Sequence, residues 1–165
     1  MNLDLKKCTL LLLLLIGVVS FDFAQVETIE VDKIKDMNGA LLDVFASLRA
    51  NQSYCDHWSP QWNYSISKEK LMHELRSNYS VMMGFDVESV DLQLMMGLTS
   101  HFLYNLDDTL YYNVAIQHFK EAIQLSNDGR GHWMLGRHLA LSGNIEEGFV
   151  MMHKASQSLS DKNKT

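Results

Sequence analysis

The side chains that could do chemistry in this sequence are its seven histidines and two cysteines. A helical metal site needs two histidines four residues apart, or an HExxH motif, so that both rings share one face of the helix. The closest two histidines, His132 and His138, are six residues apart. His73 is followed by a glutamate but lacks the second histidine. A metal site would have to be assembled across helices, so the sequence favours exposed or capping histidines and predicts no cofactor.

Cys55, Asp56 and His57 form the densest local cluster of reactive residue types. A thiolate beside an imidazole can act as a nucleophile, but side chains two residues apart in a loop need not face each other. Neither a CxxC pair nor a haem-attachment motif is present. We therefore favour a buried structural thiol in a protein that is not an enzyme. The alternative is a small exported enzyme or metal-binding protein centred on Cys55 and His57.

The polar segment 51–67 is dense in aromatic residues and holds the only proline, Pro60. Its aromatic residues are Tyr54, Trp58, Trp62 and Tyr64. They could stack on a sugar or a peptide, but no carboxylate pair accompanies them at a spacing typical of glycosidases. We interpret the segment as an ordered loop that joins the first helix to the rest of the fold. N-glycosylation acceptor motifs begin at Asn51, Asn63, Asn78 and Asn163.

The first 24 residues have the parts of a secretory signal peptide. Lys6 and Lys7 precede a short apolar run, and Phe-Ala-Gln follows it. The run is too short for a transmembrane helix, which needs about 20 residues, so a retained anchor is disfavoured. We predict cleavage after Ala24, with a cut after Ser20 as the alternative. The expected product is periplasmic or secreted and has no stable membrane span.

The composition argues against two classes of partner. The formal net charge is −6, whereas nucleic-acid binders need a basic face and anionic lipids attract a basic patch. Hydrophobic residues make up 47% and charged residues 21%, which is ordinary for a packed globular protein. A single proline and ten methionines favour a largely helical chain.

Apolar residues recur at spacings of three and four along the chain, which predicts α-helices. The candidate residues named above would therefore be held in place by helices. The predicted helices cover about 30–50, 68–83, 86–106 and 107–126, with two more within 132–156. Ser67 is the predicted N-cap of the second helix and Gly84 its end. Asp107 or Asp108 is the predicted cap of the fourth. Gly143 is the predicted left-handed residue between the last two.

The last four predicted helices contain an internal repeat. Small, large and small residues recur 33 positions apart in the second helix of each pair, as Ala115 with Gly148, Phe119 with Met152, and Ala122 with Ala155. In the first helices, Gly97 corresponds to Gly136 at a distance of 39 positions. Periods of 30–50 residues made of helix pairs are typical of solenoids.

These residues resemble the tetratricopeptide repeat (TPR) family. Leu135-Gly136 matches that family's Leu-Gly pair, Gly143 its turn glycine, and the residues of 148–155 its Ala, Phe and Ala positions. A Sel1-like repeat also fits 135–144. The family's turn proline is absent after Leu125, the first helix of the earlier unit is longer than usual, and two units fall short of the three that stable arrays usually need. An ordinary bundle of α-hairpins is the alternative.

The resemblance implies an all-α fold of antiparallel helical hairpins, stacked as a short TPR-like solenoid with an N-terminal helical cap. It also implies protein or peptide binding, without catalysis, in a groove lined by the first helix of each pair. The groove-facing residues would be Arg130, Trp133 and Arg137 in the last unit and Asp91, Leu94 and His101 in the earlier one. The alternative is that Trp133 packs into the hairpin core while the arginines are solvated.

The predicted organisation is a signal peptide (1–24), N-terminal helices with the aromatic loop (25–85), two TPR-like hairpins (86–160) and a disordered tail (161–165). The predicted function is an exported protein–protein interaction module that serves as an adaptor, an assembly factor or a small soluble subunit. Its partner would be another protein or peptide. Self-association is a further expectation, because a two-unit array leaves its end faces uncovered.

Overall fold

A computed structural model describes residues 29–30, 39–56 and 66–162 of the chain. This part forms six α-helices and contains no strand, which confirms the all-α prediction. The helices are α1 Gly39–Asp56, α2 Lys68–Met83, α3 Val90–Asn105, α4 Tyr111–Leu125, α5 Arg130–Leu141 and α6 Ile145–Lys162. None of these helices is both long and apolar enough to cross a membrane. The predicted signal peptide and most of the aromatic loop lie outside the described residues.

Helix α1 corrects the first predicted boundary. The sequence placed 51–56 in a loop, but these residues continue the helix, and Asn51 and Cys55 extend its buried stripe by one more turn. The polar composition of 51–56 suggested a loop, but the buried side-chain amide of Asn51 is satisfied by a hydrogen bond. It donates to Glu74 Oε1 at 3.0 Å. Ser47 Oγ donates to the same carboxylate oxygen at 2.6 Å and joins α1 to α2. Asn51, the acceptor residue of the first glycosylation motif, is thus buried between two helices.

The helix caps were partly predicted. Ser67 is the N-cap of α2, since its Oγ accepts a hydrogen bond from the Lys70 amide at 3.2 Å. Gly143 has a φ of 95°, in the left-handed region, between α5 and α6. The predicted cap of α4 was wrong: the helix begins only at Tyr111, after a turn in which Asp107 has a φ of 70°. The carboxylates of this turn pair instead with Lys68 and Arg76 of α2.

Helix α3 lies at the centre of the fold. Twelve of its sixteen residues are buried, and it contacts α1, α2, α4 and α5. A helix that is apolar on every side belongs in a core. Its hydroxyl groups are satisfied within the helix, because Thr99 and Ser100 donate to the Met95 and Met96 carbonyls at 2.8 Å.

Glycines let the paired helices approach closely. A Cβ built on Gly97 would overlap the Phe119 ring, since it would lie only 2.6 Å from Cδ1. A Cβ on Gly136 would lie 2.7 Å from the Gly148 carbonyl oxygen and 2.8 Å from Cγ of Met152. These contacts are placed roughly symmetrically about the connecting turns, so α3–α4 and α5–α6 are antiparallel hairpins.

Replacing Gly136 with alanine is expected to lower the free energy of unfolding by about 2–3 kcal/mol, because the new methyl group meets backbone atoms that cannot rotate away. Gly39→Ala is the matched control, since a Cβ there meets no atom of the described residues within 4 Å. Urea unfolding of both variants checks the prediction. Equal stability of the two variants would show that α5 and α6 separate without cost.

Candidate functional site

The six residues predicted to face a groove do not line an open surface together. Asp91, Leu94 and His101 are buried, each with no more than 2% of its surface exposed. The side chains of Arg130 and Arg137 are only 14% and 12% exposed. The other predicted residue, Trp133, is half-buried on the same face of α5.

Arg130 is held by carboxylates from three parts of the chain. Its Nη1 lies 2.6 Å from Asp91 Oδ1, and its Nε and Nη2 both lie 2.8 Å from Asp128 Oδ2. Glu30 contributes a more distant carboxylate, 3.6 Å from Nη2, and its backbone N–H donates to Asp91 Oδ1 at 2.8 Å. The guanidinium thus joins the N-terminal segment, α3 and the loop before α5.

Arg137 makes a similar connection seven residues further along α5. Its Nη2 lies 3.7 Å from Oδ2 of Asp56, a buried carboxylate at the end of α1. Both arginines therefore pair with acidic residues of the chain itself, Arg130 chiefly with Asp91 and Asp128 and Arg137 with Asp56. These intramolecular pairs argue against a partner interface at Arg130 and Arg137, and partner binding by the six residues stays a prediction.

A buried hydrogen-bond chain connects α1, α3, α5 and α4. The Asn105 amide donates to the Cys55 carbonyl at 3.3 Å and to His101 Nε2 at 3.2 Å. His101 Nδ1 lies 2.9 Å from His138 Nδ1, and His138 Nε2 donates to the Tyr112 carbonyl at 3.1 Å. The two ends fix the tautomers: His101 carries its hydrogen on Nδ1 and donates to the unprotonated Nδ1 of His138.

Burial keeps both of these imidazoles neutral. It lowers the pKa of His138 to about 4, although the hydrogen bond to Tyr112 acts in the opposite direction. The pKa of His101 is lowered well below its ordinary value by burial, by His138 and by the positive charge of Arg137. The expectation of exposed or capping histidines is wrong here, because the two rings satisfy each other inside the core.

Cys55 has the environment of a structural thiol. It is fully buried, and burial raises its pKa well above the ordinary value, with the negative charges of Asp56 and Glu74 acting in the same direction. A nucleophilic cysteine needs a lowered pKa and access to solvent. These findings oppose a nucleophilic role for Cys55, while His57 lies outside the described residues. Within the described ranges, no group of three His, Cys, Asp or Glu side chains is arranged to hold a metal ion.

The thiol of Cys55 is expected to react at least ~100-fold more slowly with a disulfide reagent in the folded chain than in urea. The measurement uses a Cys8→Ser background, so that Cys55 is the only thiol. Rapid reaction of the folded chain would indicate an accessible thiolate and would revive the enzyme alternative.

An open cleft lies where the end of α2 and the following loop meet α3 and α4. We call it the α2–α4 cleft; its volume is about 550 Å³. Its apolar lining consists of Met82, Met83, Phe85, Val87, Leu92, Met96 and Leu125. Its acidic lining consists of Asp86, Glu88 and Glu121, and the residues found to line it include no lysine or arginine. The cleft is therefore apolar at its base and negatively charged at its rim.

His118 forms a polar part of the cleft wall together with Gln93 and Glu121, and it is hydrogen-bonded to Tyr79. Its Nδ1 donates to Gln93 Oε1 at 2.7 Å, so Nε2 accepts from the Tyr79 hydroxyl at 2.8 Å. Burial lowers the pKa of His118, although Glu121 at 3.6 Å opposes the shift. Burial also raises the pKa of Tyr79, as do Tyr111 and Glu121. Both ring nitrogens of His118 are therefore engaged within the protein, so this group fixes the cleft wall.

Sequence reasoning did not single out this cleft. The available signal was the pair Met82-Met83 followed by Gly84 and the acidic segment 86–88, which places exposed apolar and acidic residues at a helix end. The contribution of His118 had no local signal, because Gln93 and Tyr79 are 25 and 39 residues away from it.

Comparison of the chain with protein-family models, with curated proteins and with solved structures gave no match.

Proposed function

We propose that this protein is a small helical protein-interaction module in which α3–α6 form two TPR-like hairpins stacked on a cap of α1 and α2. The close contacts of Gly97 with Phe119 and of Gly136 with Met152 support the repeat, because these pairs occupy corresponding positions of the two hairpins. The contact between α3 and α5 supports it as well, since first helices are neighbours in such arrays.

The observation that carries the binding role is the solvent-open α2–α4 cleft. Met83, Val87 and Leu125 are exposed there by 60%, 45% and 40%, beside a buried apolar base. Large apolar side chains that are exposed around a concave surface are typical of interaction sites. We therefore place the interface at this cleft rather than at the buried arginine pairs of α5.

Export to the periplasm or out of the cell remains part of the proposal. It rests on the charged start and apolar run of residues 1–24, which lie outside the described residues. Mass spectrometry of the protein recovered from its own cells would test it, because cleavage after Ala24 leaves Gln25 as the first residue.

Site-specific photocrosslinking in the native cells tests the interaction. A photoreactive residue replaces Val87 at the cleft in one strain and Val150 on α6 in another; Val150 is similarly exposed but does not line the cleft. We expect a discrete protein adduct from position 87 only. Adducts from neither position, or the same adducts from both, would argue against a module that binds through the cleft.

A further inference from the structure

We propose that the α2–α4 cleft binds a basic amphipathic segment of a partner protein. In this complex an apolar side chain of the partner packs on the methionine-rich base, and a lysine or arginine of the same segment pairs with the acidic rim. The inference rests on the proposed function, since it names the class of partner that the cleft recognises.

Charge at the rim favours a cationic partner. Asp86 and Glu88 are exposed on the loop between α2 and α3. Glu121 is the third carboxylate; it accepts a hydrogen bond from Gln117 at 3.0 Å and lies near the neutral ring of His118. Since the residues found to line the cleft include no lysine or arginine, a bound cation would meet attraction without competition from the walls.

The base of the cleft favours an apolar side chain beside that cation. Met82, Leu92 and Met96 are buried and form a floor, while Met83 and Val87 extend it to the exposed edge. Methionine is unbranched and polarisable, so the floor and its extension, which together hold three methionines, can adapt to side chains of different shape. Such a floor suits leucine, isoleucine or phenylalanine on one face of a helix.

The size of the cleft fits a segment of chain. Its volume of about 550 Å³ falls within the range of about 300–1,000 Å³ for sites that bind small ligands. That space accommodates a few side chains of a helix, at the i and i+4 spacing by which amphipathic helices enter grooves. The basic residues of such a helix would then lie over the rim.

Fluorescence anisotropy with two synthetic peptides tests the proposal. One peptide is an amphipathic helix of leucine and lysine, and the other has glutamate in place of every lysine. We expect the lysine peptide alone to bind the full chain, with an affinity that falls as salt rises.

Two double variants with the same change in charge locate the binding. Asp86→Asn/Glu88→Gln at the cleft is expected to weaken binding of the lysine peptide by about three- to tenfold. Glu146→Gln/Glu147→Gln, at exposed positions of α6 outside the cleft, is expected to change it by less than about twofold. Equal weakening by both variants would mean a general attraction to the acidic chain and would overturn the proposal. Binding of the glutamate peptide, or no binding of either peptide, would overturn it too.

A second pair of variants tests the apolar contact. Met83→Ser should weaken binding of the lysine peptide, and Val150→Ser should not. No effect of Met83→Ser would exclude the methionine floor from the interface. If position 87 gives a cellular adduct whose contacting segment is not basic, the proposed function holds and this inference fails. If the lysine peptide binds at the cleft but position 87 gives no cellular adduct, the cleft is a binding site for basic peptides and the proposed function fails.

Discussion

Replacing Arg130 with methionine is expected to lower the free energy of unfolding by about 3–5 kcal/mol. The variant keeps a long, flexible side chain but leaves the carboxylates of Asp91 and Asp128, which are 1% and 9% exposed, without their guanidinium. An uncompensated buried carboxylate costs far more than a lost surface ion pair, because water cannot replace the missing charge. Urea denaturation followed by circular dichroism measures the effect.

Arg49→Met is the control, because Arg49 is exposed on α1 and the same loss of charge there should change stability by no more than about 0.5 kcal/mol. A second variant identifies the cause. Adding Asp91→Asn to Arg130→Met removes one of the orphaned charges and should restore part of the lost stability. A double variant less stable than Arg130→Met would show that the buried charge is not the cause.

The same contacts affect how binding experiments should be designed. A variant with alanine at Arg130 and Arg137 would lose ion pairs that join α5 to α3 and to α1. If such a variant failed to capture a partner, unfolding of the chain would explain the result as well as loss of an interface would. Exposed positions such as Met83 and Val87 avoid this problem.

His101 and His138 make the free energy of unfolding depend on pH. Their contribution is expected to fall as the pH drops from 7 towards 4 and to be constant above pH 7. The unfolded chain binds a proton at each imidazole near pH 6.5, whereas folded His138 does so only near its pKa of about 4. The unfolded state therefore holds more protons between these values, so stability increases with pH in this window. For His138 the change between pH 7 and pH 5 is about 2 kcal/mol, and His101 acts in the same direction.

Urea unfolding at pH 7 and pH 5 checks this dependence. The variant His101→Leu/His138→Phe, which removes both titrating partners together, should lose this component of the pH dependence. The control His73→Gln/His153→Gln, at exposed positions, should keep it. If the free energy of unfolding changed equally between pH 7 and pH 5 in the wild-type chain and in His101→Leu/His138→Phe, the two histidines would not be the cause of the pH dependence.

Local patterns in the sequence were enough to place the helices. Apolar spacing predicted α2 over 68–83, which is its observed extent, and the Ser67 cap needs only the amide of Lys70 three residues later. The left-handed Gly143 is equally local, since its conformation is part of the turn. Where polar residues are buried, the same reasoning failed: α1 runs on through 51–56 because Glu74, 23 residues away, accepts the Asn51 amide.

Local sequence patterns were sufficient to predict an all-α chain, the Gly143 turn and the glycines at the helix contacts, because helical periodicity and capping depend on neighbours within about four residues. Only the tertiary structure decided which charges are buried and which surface stays open. Arg130 meets Asp91 across 39 residues and His101 meets His138 across 37. Such pairs form only when the packing of helices brings distant side chains together and removes water, and no local pattern encodes that event. The α2–α4 cleft is likewise defined by which faces the neighbouring helices leave uncovered.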